Sequence, residues 1–462
     1  MTAHIQSFGL VGRPSPQVVD PAEGERRLRD RSAGINAMLA YGNGRSYGDS
    51  CLNGLGTLID MRSRNRIIDF DPQTGLLKAE AGVMLSDIIA HVCPQGFFPP
   101  VVPGTRFITL GGAIANDVHG KNHHRRGTFG CHVESLTLLR SDGVYHRCSP
   151  TQNVELFRAT IGGLGLTGLI LSAEVRMMKV ASTDVDERVT RFRDLAEFFD
   201  VAAAADDDNE YAVAWIDQLA SGGSAGRGLL IAGNHAADSA PVEARGLPFR
   251  PSVPFRPPFS VIGRPFLRLF NGAYYSRKGA SAAPHRSSAD TFFFPLDGVG
   301  HWNRLYGPRG LFQHQSVIPE EAARTAVAEL LRIARDAGEG SFLTVLKRFG
   351  KVASPGLLSF PRPGYTLTLD FPNRGEKTLS LLRELDQVTV AAGGAVNPYK
   401  DARMSAKVFA ASFPRWRELE ASRDPAFMSD FWRRTAMRLP ASAPPVLMAG
   451  KIKYSRNKVN IK

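Results

Sequence analysis

Three glycine-bearing segments in the first 170 residues hold residue types that could do chemistry. The segment GNGRSYGDS (42–50) offers closely spaced backbone N–H groups, small side chains and Arg45. These donors suit a pyrophosphate group, although an ordinary glycine turn would have the same local sequence. PGTRFITLGGAIANDVHGKNHH (103–124) and IGGLGLTG (161–168) also require tight turns or close backbone approach. We predict that the three segments surround one elongated ligand.

Three histidines in the second segment raise the question of a metal site. His119, His123 and His124 stand at positions i, i+4 and i+5, a spacing that could bind zinc on a helix. Gly120 and Asn122 disfavour a regular helix there, so we predict no metal. As residues of a loop, His119 and its neighbour Lys121 could equally make structural hydrogen bonds.

The elements that must position these segments differ between two parts of the chain. From Leu39 to about Val180, short β-rich runs alternate with the glycine clusters. No GxGxxG motif stands between a strand and a helix, which excludes a Rossmann-type dinucleotide fold. After about Thr183, alanine-rich helical patterns alternate with β-like runs, which predicts an α+β second domain.

The second domain has two clear helical patterns, at 320–338 and 376–394. Pro319 suits the first helical position of one, and Gly393-Gly394 suits the C-terminal end of the other. The segment 247–275 differs from both domains, because it has six prolines, interleaved Phe and Arg, and no usable period. We predict a long mobile or functional loop there.

Composition narrows the class of protein. Of 462 residues, 43% are apolar and 22% charged, which predicts a folded α/β-type enzyme and excludes disorder and coiled coil. The net charge of +13 favours anionic partners such as phosphates, nucleic acid or an anionic lipid surface. Four cysteines without CxxC spacing favour a reducing compartment. We see no secretory signal and no membrane-spanning apolar run, and so predict a cytoplasmic protein, with peripheral membrane attachment left open.

The glycine segments and the DGxxxxCSP turn (142–150) together resemble the FAD-binding domain of the vanillyl-alcohol oxidase/PCMH superfamily. Within it, the chain is most similar to the decaprenylphosphoryl-ribose 2′-oxidase family, through motifs that recur in order over nearly the whole chain. These motifs are AWID (214–217), WNRLYGPRGLFQHQSVIP (302–319), SFLTVLKRFG (341–350), LDFP (369–372) and YKDARMS (399–405).

The resemblance implies an α+β fold with a two-segment PCMH-type FAD-binding domain and an inserted α+β substrate domain built on an antiparallel sheet. The FAD-binding segments would be 1–182 and 395–440, and the substrate domain 183–394 would carry a mobile loop at about 244–289. The remaining residues, 441–462, would form a basic tail.

The resemblance also implies bound FAD. Covalent members of the superfamily commonly place a histidine in the first loop, where this chain has Arg45 and Tyr47, so we predict non-covalent FAD. The residues that the resemblance implies for cofactor binding are Gly44, Arg45, Ser46, Tyr47, Gly48, Asp49, Gly104, Thr105, Thr109, Gly111, Gly112, Asn116, His119, Gly120, Asn122, Gly165, Thr167 and Lys400.

Lys400, His119 and Tyr47 are the implied catalytic residues, and which of them removes a proton stays open. A fixed Lys400 ammonium would stabilise negative charge on the reduced flavin, whereas the alternative is a surface lysine paired with Asp401. The implied substrate-binding residues are Lys121, Trp215, Tyr306, Gln313, Gln315, Lys347 and Thr368. Each of them could instead be a satisfied polar or apolar core residue. Thr368 replaces a cysteine that similar proteins often carry.

The implied reaction is oxidation of the C2 hydroxyl of a polyprenyl-phosphate ribose to a ketone, the first half of a ribose-to-arabinose epimerisation. An NAD(P)H-dependent short-chain reductase would complete it. Given a lipid substrate, we hypothesise that phenylalanines of the 244–289 loop (Phe249, Phe255, Phe259, Phe266 and Phe270) form a flap at an anionic membrane surface. The alternatives are an aldonolactone- or alditol-type FAD sugar oxidase and, in another class, a basic nucleic-acid-binding or anionic-surface-binding protein. We predict no nucleic-acid partner.

Overall fold

The computed structural model describes residues 5–12, 14–30, 37–238, 251–277, 283–341 and 343–440. The predicted basic tail, 441–462, lies outside the described residues. So do two stretches of the predicted 244–289 loop, 244–250 with Phe249 and 278–282.

The first region, up to Lys179, contains short strands and short helices. Its strands are β1 (Gln17–Val19), β2 (Met38–Tyr41), β3 (Thr57–Asp60), β4 (Ile67–Asp71), β5 (Leu76–Glu80), β6 (Phe97–Phe98), β7 (Val133–Leu139), β8 (Tyr145–Cys148), β9 (Leu169–Arg176) and β10 (Met178–Lys179). Its helices are α1 (Pro21–Arg29), α2 (Leu85–Val92), α3 (Leu110–Ala115), α4 (His123–Arg126) and α5 (Val154–Thr160).

Two sheets of the first region carry the glycine segments. Strands β1, β3 and β2 form a small parallel sheet, and β4-β5-β9-β7-β8 form an antiparallel one. Helix α2 buries Leu85, Ile88 and Val92, whose spacing puts them on one helical face. The first and third glycine segments directly follow β2 and α5. The second, 103–124, begins before α3, contains it and ends in α4.

The second region is an antiparallel sheet covered by helices. Its strands are β11 (Val185–Phe192), β12 (Tyr211–Ile216), β13 (Gly228–His235), β14 (His285–Ser287), β15 (Leu311–Ile318), β16 (Val345–Phe349) and β17 (Gly364–Pro372). Its helices are α6 (Leu195–Asp208), α7 (Arg264–Arg277), α8 (Ala289–Phe293), α9 (Glu320–Asp336) and α10 (Glu376–Ala391). The α+β class predicted from the sequence is confirmed.

The predicted helices α9 and α10 pack on this sheet through periodic apolar faces. Helix α9 buries Ala323, Val327 and Leu330 in a core that it shares with β17. Pro319 lies at the N-cap of α9 rather than at its first helical position, because its ψ of 147° is extended. Gly393 follows α10 with a φ of +71°, as expected for a C-terminal stop.

The last described region returns to the first. It contains β18 (Ala395–Val396), α11 (Ala406–Ser412), α12 (Trp416–Ser422) and α13 (Asp430–Arg434). Strand β18 pairs with β15, which completes the sheet order β14-β11-β13-β12-β16-β17-β15-β18. Phe431 and Trp432 of α13 share a core with Leu39 and Leu58 of the first region. The chain between Val396 and α11 therefore bridges the sheet and the first region.

The prediction of a loop throughout 247–275 is wrong for its second half, which forms α7. Pro265 lies in the first turn of α7, where a missing N–H is tolerated. The helix buries Leu267 and Asn271 but exposes Phe266 and Leu269, so apolar residues on several faces hide the helical period. No helix in the described part of the chain combines the length and apolar character needed to cross a bilayer.

Candidate active site

A cavity of about 580 Å³ lies between the glycine segments and one face of the antiparallel sheet. This volume falls within the roughly 300–1,000 Å³ typical of small-molecule sites. The predicted site residues that line it are Gly44, Arg45, Ser46, Tyr47, Gly104, Thr105, Thr109, Gly111, Gly112, Asn116, His119, Gly165, Gln313, Gln315, Lys347, Thr368 and Lys400.

The strand pleat explains the sheet side of the cavity. Alternate residues of a strand point to the same face, so Gln313 and Gln315 of β15 share a face. Thr368 of β17 pairs in register with Gln315, and Lys347 of β16 pairs with Thr366. Three neighbouring strands thus bring amides, a hydroxyl and an ammonium to one wall.

Eight predicted site residues do not line the cavity: Gly48, Asp49, Gly120, Lys121, Asn122, Thr167, Trp215 and Tyr306. In the first loop, both carboxylate oxygens of Asp49 are engaged by Arg434, at 2.8 and 2.9 Å. Gly48 packs so closely on the backbone of Asp401 that a Cβ there would lie 1.5 Å from its carbonyl oxygen. These two residues therefore join the first loop to the C-terminal segment.

The histidine-bearing and third glycine segments also contain residues with structural contacts. The Asn122 amide donates to the Pro100 carbonyl oxygen at 2.8 Å, and the Thr167 hydroxyl lies 2.9 Å from that of Thr160. Gly120 contacts the backbone of Val102, where an added Cβ would lie 2.9 Å from its carbonyl oxygen.

The remaining three residues outside the wall are Lys121, Trp215 and Tyr306, which contact other parts of the protein. The Lys121 ammonium donates to the Phe292 carbonyl oxygen and lies 4.3 Å from the centroid of the Phe292 ring. Trp215 packs on Tyr274 with ring centroids 4.8 Å apart, and Tyr306 is buried. These three residues do not line the cavity, and their contact with substrate stays a prediction.

His119 is held in a closed circuit of hydrogen bonds. Its Nε2 accepts from the Gln315 amide at 3.1 Å, and its Nδ1 lies 3.1 Å from the Tyr399 hydroxyl. Asn397 closes the circuit, because it donates to Gln315 Oε1 at 2.8 Å and accepts from the Tyr399 backbone N–H at 3.2 Å. Burial and the nearby ammonium of Lys347 hold the pKa of His119 well below its usual value. The ring is neutral, and both its nitrogens are engaged.

Lys400 lies at the cavity with its ammonium 4.3 Å from the centroid of the Tyr47 ring. The alternative of a surface lysine paired with Asp401 is wrong, since Asp401 pairs with Arg403 and Arg434 at 3.3 and 3.0 Å. Asp401 also accepts from the backbone N–H groups of Arg403 and Met404, both at 2.9 Å. These bonds fix the turn that presents Lys400.

Asp370 is a buried carboxyl that sequence reasoning missed, and it lies close enough to Lys400 for each group to shift the pKa of the other. Its Oδ1 accepts from the Gln313 amide at 2.5 Å. Burial raises the pKa of Asp370 and lowers that of Lys400, and the attraction between the two opposes both shifts. The alternation in YTLTLDF could have revealed it, because Asp370 lies two residues after Thr368 and shares its face. Tyr399, also missed, directly precedes Lys400.

We expect Asp370→Asn to move the basic limb of the pH profile of flavin reduction to lower pH by about one unit. The carboxylate stabilises the Lys400 ammonium, so its removal lowers the pKa of Lys400. A reaction that needs the ammonium is fast below that pKa and slows above it. The pH dependence of anaerobic flavin reduction measures this, with exposed Glu376→Gln as the control. If the basic limb of the pH profile stays in place, Asp370 does not set the charge of Lys400.

The residues on the other side of the cavity fit FAD. The Arg45 Nε is buried without a hydrogen-bond partner among the described residues, as expected where an anionic group belongs. The Arg45 guanidinium lies 5.6 Å from the ring centroids of both Phe8 and Phe107. Gly44 has a φ of +58°, and a Cβ there would lie 2.2 Å from the Tyr41 hydroxyl. The first loop therefore requires glycine beside a cationic group suited to pyrophosphate.

Comparisons with known proteins agree with this site. The family model described as "FAD binding domain" matches residues 31–149. The chain is 36% identical over 451 residues to decaprenylphosphoryl-beta-D-ribose oxidase of Mycolicibacterium smegmatis, covering 94% of this chain and 97% of that protein. It is 35% identical over 374 residues to an uncharacterised protein of Streptomyces coelicolor, covering 77% and 100%. L-gulonolactone oxidase of Mus musculus is 29% identical over 140 residues, 30% of this chain and 31% of that protein.

The fold, the site and these matches define an FAD-dependent oxidoreductase. The chain belongs to the decaprenylphosphoryl-β-D-ribose oxidase family within the vanillyl-alcohol oxidase/PCMH superfamily. The predictions of the family and of FAD as cofactor are confirmed. The individual residue roles and non-covalent attachment stay predictions.

Proposed function

We propose that this protein oxidises the C2 hydroxyl of a polyprenyl-phosphate-linked ribose to a ketone, as the first half of a ribose-to-arabinose epimerisation. An NAD(P)H-dependent short-chain reductase would act on the ketone next. The proposal draws its sugar and lipid from the name of the Mycolicibacterium relative, which is similar over nearly the whole chain.

The observation that carries the proposal is the position of Lys347 on the cavity wall. Its ammonium lies 3.3 Å from the Gly120 carbonyl oxygen, and burial together with Lys121 and Lys400 lowers its pKa to about 7. No carboxylate of the described residues is among the groups that shift this pKa. Lys347 and Lys400 both line the cavity, which therefore suits a substrate that carries an anion, and a phosphodiester supplies one.

The other groups on the wall suit the sugar. The Gln313 Oε1 is buried without a hydrogen-bond partner among the described residues and can accept from a ribose hydroxyl. The Gln315 amide helps to shape the wall through its bonds to His119 and Thr366. Bound FAD would supply the acceptor for the hydride of the carbon that bears the hydroxyl. The Lys400 ammonium then balances the negative charge that develops in the cavity. His119 acts by positioning Gln315, since a proton could reach its ring only if one of the two hydrogen bonds broke.

The alternatives have less support. The sugar-lactone oxidase in the comparison matches less than a third of this chain, and the first loop of this chain lacks the histidine typical of covalent members. Membership of an FAD oxidoreductase family removes the need for a nucleic-acid-binding function to explain the positive charge.

Anaerobic flavin bleaching tests the substrate class directly. The holoenzyme is mixed with detergent-solubilised polyprenyl-phosphate ribose, with free pentoses or with aldonolactones, and the loss of the oxidised-flavin absorbance is followed. We expect bleaching by the lipid-linked ribose and formation of its 2-keto product. Bleaching by lactones alone would contradict the proposal.

We expect Lys347→Met to raise KM for the phosphate-bearing substrate by about 10- to 100-fold, the worth of one charged hydrogen bond. Its effect on a lipid pentoside without phosphate should be small. Exposed Lys351→Met is the matched control. An equal rise in KM for the substrates with and without phosphate would show that Lys347 does not recognise the phosphate.

The same lysine predicts a pH effect on binding. Phosphate raises the pKa of Lys347 above its free value of about 7, so substrate binding at higher pH takes up a proton. Affinity should therefore fall as the pH rises above 7, and Lys347→Met should lose this dependence. Calorimetry in buffers of different ionisation enthalpy measures the proton uptake.

A further inference from the structure

Large exposed apolar side chains are concentrated in one part of the second region. Phe255 and Phe259 are 68% and 67% exposed, and Phe266 and Leu269 of α7 are 43% and 77% exposed. Phe266 and Leu269 lie one helical turn apart and, with the half-buried Phe270, form what we call the α7 face. Isolated exposed apolar residues are ordinary, but such a cluster marks an interaction surface.

Helix α7 is anchored so that this face points outward. Leu267 is buried in a cluster with Tyr306 and Trp302, and the Asn271 amide donates to Asp217 at 2.8 Å. Away from these anchors, Phe270 stacks on Phe266 with ring centroids 6.1 Å apart. The helix is therefore amphipathic, with its apolar side exposed and its opposite side fixed to the domain.

Helix α7 carries arginines and no acidic residue. Residues 244–289 contain eight Arg or Lys and no Asp or Glu. Arg264 and Arg268 on α7 are both exposed. Aromatic and aliphatic side chains flanked by arginines match the interface of an anionic bilayer, where rings enter the headgroup region and guanidinium groups contact lipid phosphates.

The buried side of α7 reaches the cavity, because Leu267 shares a cluster with Trp302, which lines it. Gly300 and His301 line the cavity, and the segment that carries Phe255 bonds to both. The Ser252 hydroxyl lies 3.0 Å from His301 Nδ1, and the Val253 N–H donates to the Gly300 carbonyl oxygen at 2.9 Å. A surface that rests on a bilayer through this face would hold the cavity rim near the headgroups.

We propose that the α7 face docks this protein on an anionic lipid bilayer. Docking there would let a polyprenyl-linked sugar enter the cavity while its chain stays in the membrane. That consequence rests on the proposed function, whereas docking itself does not. Of the phenylalanines in the hypothesised flap, Phe266 and Phe270 lie on α7, so that part of it is helical.

Vesicle flotation tests the proposal with the holoenzyme and without substrate. We expect the protein to float with phosphatidylcholine vesicles that contain phosphatidylglycerol. The double variant Phe266→Ser/Leu269→Ser should bind about 100-fold more weakly, since each buried side chain contributes roughly tenfold. The matched control is Leu55→Ser, whose leucine is 81% exposed in the first region. Flavin content and thermal unfolding should be the same in all three proteins.

Two further measurements decide between occupants of the face. Arg268→Gln should weaken binding to anionic vesicles and leave binding to pure phosphatidylcholine unchanged. Light scattering should give the same oligomeric state for the wild type and the double variant. If the wild type is an oligomer and the double variant is a monomer, the face binds a second copy of this chain, and the proposal is overturned. No flotation of the wild type, or equal flotation of the double variant, would also overturn it. Flavin bleaching by detergent-solubilised substrate tests the proposed function separately, so either can fail alone.

Discussion

Lys400→Met will lower the rate of flavin reduction by about 100- to 1,000-fold, the usual effect of removing one preorganised electrostatic group. The ammonium lies on the cavity wall over the Tyr47 ring, and the turn at Asp401 fixes its backbone. Methionine keeps the length and apolar stem of the side chain but removes the charge. Anaerobic stopped-flow absorbance with saturating substrate measures the rate.

Two companion variants make the Lys400 result specific. Lys407→Met removes an exposed lysine from α11 in the same segment and should reduce flavin at the wild-type rate. Lys400→Arg keeps the charge on a larger planar group and should retain part of the rate. A Lys400→Met protein that holds FAD and reduces it normally would exclude Lys400 from the reaction.

Arg403→Met will destabilise the protein by about 3–5 kcal/mol, the cost of leaving buried carboxylates without their cation. Arg403 bonds to Asp386 of α10 at 2.9 Å and to Asp401 at 3.3 Å. Arg434 continues the chain of charges from Asp401 to Asp49 in the first loop. The network therefore connects α10, the turn that presents Lys400 and the first glycine segment. Urea-induced unfolding measures the loss.

The pH dependence of this loss identifies its cause. Burial raises the pKa of Asp386, but Arg403 and His314 outweigh it and hold that pKa below its usual value. The resulting stability is present at neutral pH and declines as the pH falls through the lowered pKa. In Arg403→Met the carboxyl protonates at higher pH, so the difference from wild type should shrink on acidification. Arg415→Met breaks an exposed pair with Glu418 and should change stability by only about 0–1 kcal/mol. If Arg403→Met loses no more stability than Arg415→Met, the network has no structural role.

Local patterns predicted the regular elements well but failed where contacts from distant parts of the chain decide the structure. The helical periods of α9 and α10 are readable because their buried residues recur at helical spacing. Helix α7 was missed because its exposed Phe266 and Leu269 obscure the stripe of Leu267 and Asn271. An apolar face turned outward cannot be recognised from periodicity alone.

Local sequence also could not predict which charged groups pair with each other. The adjacency of Lys400 and Asp401 suggested a surface pair, yet Asp401 is bonded to Arg434, which lies 33 residues further along the chain. Asp370 contacts Gln313 across paired strands 57 residues apart in sequence. Chain distances of this size carry no signal in a local motif.

By itself, the sequence determined the α+β composition, the three glycine segments and the identity of the lysines and amides, since residue type and short-range spacing specify these features. The cofactor class followed from the resemblance of its motifs to a known family. Only the tertiary structure decided which of those residues share a cavity, that His119 has both ring nitrogens engaged, that Asp370 stands beside Lys400, and that α7 turns its apolar side outward. These facts depend on strand register and on packing between segments distant in the chain. Both arise from the free energy of the whole fold rather than from the preferences of neighbouring residues.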